Sequence, residues 1–126
     1  MEVRKRFLKE LGFLPKDNTS GIYEKIYAKG GCSIQVDFNK KIIDYGELIN
    51  CESKTTQNFS KEENWVVLEC VNRLLEKGYK PQDIILEKVY PSGHGHTGRL
   101  DILVTKNLKA FLMIECKTFG KEFANE

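Results

Sequence analysis

This sequence of 126 residues has little excess charge of either sign. It has 20 Lys and Arg against 18 Asp and Glu, a formal net charge of +2. A balance this close to zero excludes a chain that is basic throughout, so any contact with nucleic acid requires a local patch. No stretch approaches the roughly 20 apolar residues of a transmembrane helix. The start of the sequence lacks the apolar core of a signal peptide, and we expect a cytoplasmic protein without a membrane partner.

Paired metal-binding cysteines and nucleotide-binding loops are also missing. The glycine-rich segment 91–98 has neither the Gly-Lys-Ser/Thr of a P-loop nor a dinucleotide fingerprint. Its histidines, His94 and His96, have no third ligand spaced to join them in a metal site, and we interpret the segment as a flexible or DNA-facing loop. No two cysteines have Cys-x-x-Cys spacing, which favours free thiols over a zinc site or a disulfide framework. The four cysteines are Cys32, Cys51, Cys70 and Cys116.

Hydrophobic periodicity indicates a helix and a β-meander in residues 1–59. Residues 3–11 have apolar side chains at helical spacing, and Gly12 fits the position just after a helix. The basic run 4–6 is either a solvated helix face or a patch that contacts phosphate. The polar stretch 46–59 is predicted to be a loop that links this module to residues 60–126. Alternating apolar residues predict strands at 21–28, 32–38, 42–45 and, beyond the loop, 83–90.

The strongest helical pattern covers residues 60–77. Ser60 and Glu63 match a capping box at its start, and Gly78 and Pro81 end it. Glu63 also lies on the same side of the helix as the apolar stripe. It is therefore either the capping carboxylate or an acid directed across the core toward a sheet, and the pattern leaves both open. The predicted buried stripe is Val67, Val71, Leu74 and Leu75.

Three charged residues interrupt two apolar runs near the end of the sequence. The runs, 98–105 and 110–117, are predicted to be strands that pair antiparallel because their connection is short. The charges are Asp101, Glu115 and Lys117. A charge in such a run is costly to bury unless it is paired or binds a metal.

The pairing register of these strands decides whether the acids meet. A register with Thr105 opposite Phe111 places Asp101 opposite Glu115. A shift of two residues keeps the acids diagonal neighbours, whereas a shift of one residue sends them to opposite faces of the sheet. The hypothesis that the two carboxylates form a site therefore requires one register parity.

Two carboxylates at cross-strand distance repel each other unless one is protonated or a cation lies between them. Mg²⁺ binds through one or two carboxylates together with phosphate oxygens. Asp101, Glu115 and the backbone carbonyl of Cys116 are therefore candidate ligands. Lys117 would then orient or deprotonate a water molecule in the hydrolysis of a phosphodiester. A buried Glu–Lys–Asp ion-pair cluster without catalysis is the alternative.

Asp101, thirteen intervening residues and Glu115-Cys116-Lys117 resemble the PD-(D/E)XK nuclease signature, with Leu100 where the motif has proline. Residues 60–117 resemble the N-terminal nuclease domain of type I restriction enzyme R subunits, and related domains precede N-6 adenine DNA methylases. The further matching segments are Glu63, the helix end Leu-Leu-Glu-Lys-Gly-Tyr, and residues 84–87, 98–102 and 112–117.

The resemblance implies an α/β (α+β) fold, in which a restriction-endonuclease-like core with a central mixed sheet flanked by helices follows the helix and meander. It implies a Mg²⁺-dependent DNA endonuclease, with Mn²⁺ as a substitute ion. By position, Asp101 and Glu115 are the metal ligands, Lys117 is the catalytic lysine and Glu63 is the helix glutamate of the site. Arg99 joins His94 and His96 as a candidate DNA contact.

The implied partners are double-stranded DNA and the modification and specificity subunits of a restriction system. ATP or S-adenosylmethionine would act through regions outside this sequence. The family's fold continues with a further helix and strand, for which residues 118–126 are too few, so we expect residues 60–126 to be a fragment of the nuclease core. The alternative function is an inactive nuclease-fold module for DNA binding or subunit docking, and a purely structural α/β domain is a third.

Overall fold

The structure, a computed structural model, describes residues 2–18, 21–28, 31–91 and 97–117. This part of the chain is a mixed α+β fold with two α-helices and two four-stranded sheets. The helices are α1 (Glu2–Glu10) and α2 (Glu62–Glu76). The first sheet has the order β1 (Leu14–Pro15), β2 (Ile22–Ile26), β3 (Ser33–Asp37) and β4 (Ile42–Asp44). The second has the order β5 (Asn50–Cys51), β6 (Ile84–Pro91), β7 (Thr97–Lys106) and β8 (Lys109–Ile114).

The first sheet contains the predicted β-meander as β2, β3 and β4 and adds the short strand β1, which was not predicted; every neighbouring pair of its strands is antiparallel. Its β3 alternates between buried and half-buried side chains, with Ile34 and Val36 fully buried. Gly12 follows α1 with φ of +98°, a conformation that glycine adopts without a steric penalty, and so α1 ends where the sequence predicts. The predicted turn at 29–31 lies partly outside the described residues.

The second sheet is mixed because β5 pairs parallel with β6, whereas the other pairs are antiparallel. The loop prediction for residues 46–59 is therefore wrong in part. The segment contains β5 and a 3₁₀-helix, Lys54–Gln57, whose start is capped by the Ser53 hydroxyl. A strand of two residues has no alternation to detect, and polar turn residues surround it.

Helix α2 begins later than the capping-box pattern predicts. Lys61 occupies the N-cap position and makes no side-chain capping hydrogen bond. The backbone N–H of Ser60 donates to Asn58 Oδ1 at 3.0 Å instead, so the proposed Ser60–Glu63 capping box is wrong. The predicted apolar stripe is confirmed, since all four of its side chains are buried.

One cluster of buried hydrophobic side chains includes residues of both helices and both sheets. Aromatic rings in contact cross this cluster. The distances between ring centroids are 5.6 Å for Tyr23 and Phe38 and 5.4 Å for Phe38 and Phe59. They are 5.8 Å for Phe59 and Trp65 and 6.2 Å for Trp65 and Phe7. Fully burying one side chain of this size stabilises the fold by about 1.5–3 kcal/mol.

The division into residues 1–59 and 60–126 stays a prediction. In the described part of the chain, neither helix has the length and apolar character needed to cross a bilayer.

A lysine holds α1, β2 and α2 together. The ammonium of Lys25 donates to the carbonyl of Leu11 at 2.6 Å, to Asn72 Oδ1 at 2.8 Å and to Glu76 Oε2 at 2.7 Å. The hydroxyl of Tyr27 donates to the same Asn72 oxygen at 2.6 Å, and burial raises the pKa of Tyr27. All three ammonium protons therefore have partners, each from a segment distant in sequence.

We expect Lys25→Met to lower the free energy of unfolding by roughly 2–4 kcal/mol, because it removes three charge-assisted hydrogen bonds and leaves their acceptors partly buried. Urea denaturation followed by circular dichroism measures the change. Lys40→Met, at an exposed lysine between β3 and β4, is the matched control and should stay within about 0.5 kcal/mol of wild type. Equal stabilities of the two variants would contradict this account of Lys25.

Candidate functional site

The hairpin of β7 and β8 has the register parity that the site hypothesis requires. Ile102 is opposite Ile114, and the same register continued by one residue sets Asp101 against Glu115. Thr105 is opposite Ala110 and not Phe111, because the register shifts after Val104. The shift lies toward the turn, on the far side of Val104 from Asp101, and so it leaves the relation between the two acids unchanged.

Strand β8 is shorter than predicted and ends at Ile114, so Glu115, Cys116 and Lys117 follow it as irregular chain. Beyond the last backbone pair of β7 and β8, a side chain of β7 bonds to this segment. Asp101 Oδ2 accepts a hydrogen bond from the backbone N–H of Cys116 at 2.7 Å. This bond holds the Glu-Cys-Lys segment against β7.

Several acids converge on Asp101. Partial burial raises the pKa of the Asp101 carboxyl, and the negative charges of Glu115 and Glu87 raise it further. The Cys116 N–H and a side-chain hydrogen bond with Glu63 act in the opposite direction. The structure thus brings Asp101, Glu115 and the helix residue Glu63 together, although Glu63 itself is exposed. Of the two interpretations of Glu63, the one directed toward the sheet is supported.

Glu87 is a member of this group that the sequence reasoning did not assign. Leu86 is opposite Ile102 and Lys88 is opposite Leu100, so Glu87 lies beside Asp101 at a break in the pairing. Its φ of 52° is unusual for a residue that is not glycine, and such strain concentrates at functional positions. An acid in the middle of an apolar strand was the signal for Asp101, and the same signal was present at Glu87.

The candidate DNA contacts have different outcomes. The Arg99 guanidinium, 60% exposed, forms an ion pair with Glu87 at 3.2 Å. Arg99 therefore lies beside the acids and offsets part of their charge. His94 and His96 lie outside the described residues. Lys117 is exposed and lines a cleft between α1 and α2.

Cys116 is also fixed through its side chain. All four cysteines are free thiols, as expected. The Cys116 thiol donates to Cys70 Sγ on α2 at 3.9 Å. This contact lowers the pKa of the Cys70 thiol and raises that of Cys116. The residue between Glu115 and Lys117 is therefore anchored to β7 by its backbone and to α2 by its sulfur.

The donor chemistry of the site fits Mg²⁺, which prefers oxygen ligands and binds through one or two carboxylates while it keeps several waters. Burial raises the pKa of Asp101 most, and the charges of Glu115 and Glu87, which a dication would offset, raise it further. As the described side chains are placed, no three His, Cys, Asp or Glu residues surround a common metal position. Asp101 and Glu115 are the pair that would hold the ion, and the Cys116 carbonyl is the further candidate.

We expect Asp101→Asn to raise the melting temperature of the metal-free protein at neutral pH by a few degrees, the shift that about 1 kcal/mol gives a domain of this size. Asparagine removes the charge and keeps an oxygen that can accept the Cys116 N–H. Because the folded-state pKa of Asp101 is raised, the carboxylate costs stability above that pKa and costs none below its ordinary value near 4. The gain should therefore disappear in acid. Thermal melts in EDTA across this pH range test the prediction, and a lower melting temperature at neutral pH would contradict it.

Comparison with known proteins identified no relative of this chain. A scan against protein-family models, a search of curated proteins and a search of solved structures each found no match. The functional interpretation therefore depends on the chemistry of Asp101, its neighbouring acids and Lys117.

Proposed function

We propose that the protein is a Mg²⁺-dependent DNA endonuclease domain of the type I restriction–modification class, which hydrolyses phosphodiester bonds. One observation carries the proposal. The Asp101 carboxylate accepts the Cys116 N–H, and this bond joins Asp101 to the segment with Glu115 and Lys117 while Glu63 approaches from α2.

The proposed roles follow from side-chain chemistry. Asp101 and Glu115 would hold Mg²⁺, which when bound supplies Lewis-acid polarisation of the phosphate. Lys117 Nζ would donate to a non-bridging phosphate oxygen or orient the attacking water, and its charge would offset the negative charge that develops during hydrolysis. Glu63 would hold Asp101 in place through their shared hydrogen bond.

The proposed fold family is the restriction-endonuclease-like core. Helix α2 followed by the antiparallel strands β6, β7 and β8 is compatible with it, and the second sheet is mixed, as that resemblance implies. The proposed partners are double-stranded DNA and the modification and specificity subunits of a restriction system, in a cytoplasmic setting. Mn²⁺ would replace Mg²⁺, and any use of ATP or S-adenosylmethionine would belong to regions outside this sequence.

The alternative proposal is an inactive nuclease-fold module for DNA binding or subunit docking. This alternative requires no three-ligand metal arrangement, and none is present among the described side chains. The two proposals agree on DNA as a partner and differ on metal binding and on the role of Lys117.

Metal titration and plasmid nicking separate the two proposals. Mg²⁺ or Mn²⁺ should raise the melting temperature of wild type and of Lys117→Ala, but not that of Asp101→Asn, because binding to the folded state stabilises it. Nicking of supercoiled plasmid should fall by at least about 100-fold in Lys117→Ala. Lys109→Ala, at an exposed lysine of β8, is the matched control and should nick as wild type does.

Two results would count against the nuclease. If metal stabilises no variant and wild type does not nick, this chain does not have the proposed activity, and retained DNA binding would then support the inactive module. If Lys117→Ala nicks at the wild-type rate, any observed cleavage has another origin.

A further inference from the structure

A cleft of about 490 Å³ lies between α1 and α2 and reaches the candidate catalytic lysine. Arg4 and Phe7 of α1 form one wall, Trp65 and Val66 of α2 form another, and Lys117 completes it. None of the sequence predictions assigned a role to this space. Its position brings the basic run at the start of the chain next to the segment that carries Lys117.

Arg4 is held in this cleft by stacking. Its guanidinium carbon lies 4.7 Å from the centroid of the Trp65 ring. The ring is itself fixed, because Trp65 is 3% exposed and its Nε1–H donates to the carbonyl of Phe59 at 2.6 Å. A guanidinium held over an aromatic ring has further N–H donors, which match the geometry of a phosphate. No carboxylate in the described part of the chain pairs with Arg4.

The other charges of the cleft leave room for an anion. Two carboxylates, Glu62 and Glu69, also line it. Glu69 forms an ion pair with Arg73 at 2.5 Å, so its charge is largely offset within α2. Arg4 and Lys117 are the two cations of the lining, and Glu62 is the acid that an incoming anion would meet.

The rest of the basic run does not share this geometry. Lys5 lies over the Phe38 ring at 5.5 Å, and Arg6 is exposed and lines none of the clefts that include Arg4. The run is therefore not a uniform phosphate patch. Arg4 alone combines a fixed guanidinium with access to the cleft that Lys117 lines.

We propose that Arg4 binds a phosphate of the DNA backbone next to the one that is cleaved, in the cleft that ends at Lys117. This inference rests on the proposed nuclease function for the identity of the cleaved bond. Binding by Arg4 itself requires only a DNA duplex and no metal. Arg4 is thus a DNA-binding residue that holds the strand in the cleft that Lys117 lines.

Fluorescence anisotropy with a short labelled DNA duplex in EDTA tests the inference. Arg4→Gln should weaken binding by at least about fivefold, and the slope of log K against log salt between about 50 and 200 mM should fall by about 0.9, the value for one lost phosphate contact. Arg6→Gln removes the same charge from the same helix and should bind within about twofold of wild type. Arg4→Lys keeps the charge without the planar fork and should keep the wild-type salt slope with weaker binding. Thermal melts confirm that each variant is folded.

The outcomes separate this inference from the nuclease proposal. Equal losses in Arg4→Gln and Arg6→Gln, or no loss in Arg4→Gln, overturn it, since the contact is then diffuse or absent. Arg4-dependent binding of an RNA duplex as tight as that of DNA also overturns it. In plasmid nicking, Arg4→Gln should raise KM and leave kcat within about twofold. If Arg4-dependent DNA binding occurs without nicking, the cleft inference stands and the nuclease proposal fails. If the protein nicks DNA but Arg4→Gln binds DNA as wild type does, the nuclease proposal stands and the cleft inference fails.

Discussion

The ammonium group of Lys25 is the interaction on which the arrangement of the two helices depends. It is 14% exposed, and its acceptors come from the end of α1 and from two turns of α2, while Lys25 itself belongs to β2. Loss of any acceptor would leave a largely buried charge with fewer partners, and so the three elements have little freedom to move apart. The helix that carries Arg4 is thereby set beside the helix that carries Trp65. The geometry of the cleft therefore depends on a contact at the opposite end of α1.

Asp101 connects this framework to the candidate site. The pairing of β7 is incomplete on both sides of Asp101, because the pairing with β6 skips Glu87 before it resumes in the same register and the pairing with β8 ends at Ile102. The backbone N–H of Cys116 would otherwise lose its partner there, and the Asp101 carboxylate replaces the missing carbonyl. The same carboxylate is crowded by other acids. One side chain thus closes the sheet locally and concentrates the negative charge on which the proposed metal binding depends.

The sequence predicts much of this fold because most elements have a period that burial imposes. The α2 stripe and the meander follow from such periods, whereas the parity of the β7–β8 register was a condition of the site hypothesis that the sequence left open. Features without a period were missed or misplaced. Strand β5 is too short to alternate. The Asn58 side chain accepts the Ser60 N–H, which the Glu63 side chain would accept in a capping box. The register shift after Val104 depends on the turn. Lys25 was missed because a lysine in a half-buried strand has the same pattern whether it is solvated or bound.

The acids of the site come from α2, β6, β7 and the segment after β8, so their mutual repulsion acts between separate elements and not within one. Three of the four are held in place by different contacts: Glu87 by Arg99, Asp101 by Cys116, and Glu63 by Asp101. A fold that gains nothing from such a cluster would be more stable with neutral residues at these positions. Three acids around the Asp101 carboxylate, whose pKa is raised, are an arrangement that the proposed metal binding would explain. A dication is the ligand that would relieve the repulsion, and it would link α2 to the sheet beside Asp101, where the pairing of β7 with β6 skips one residue pair.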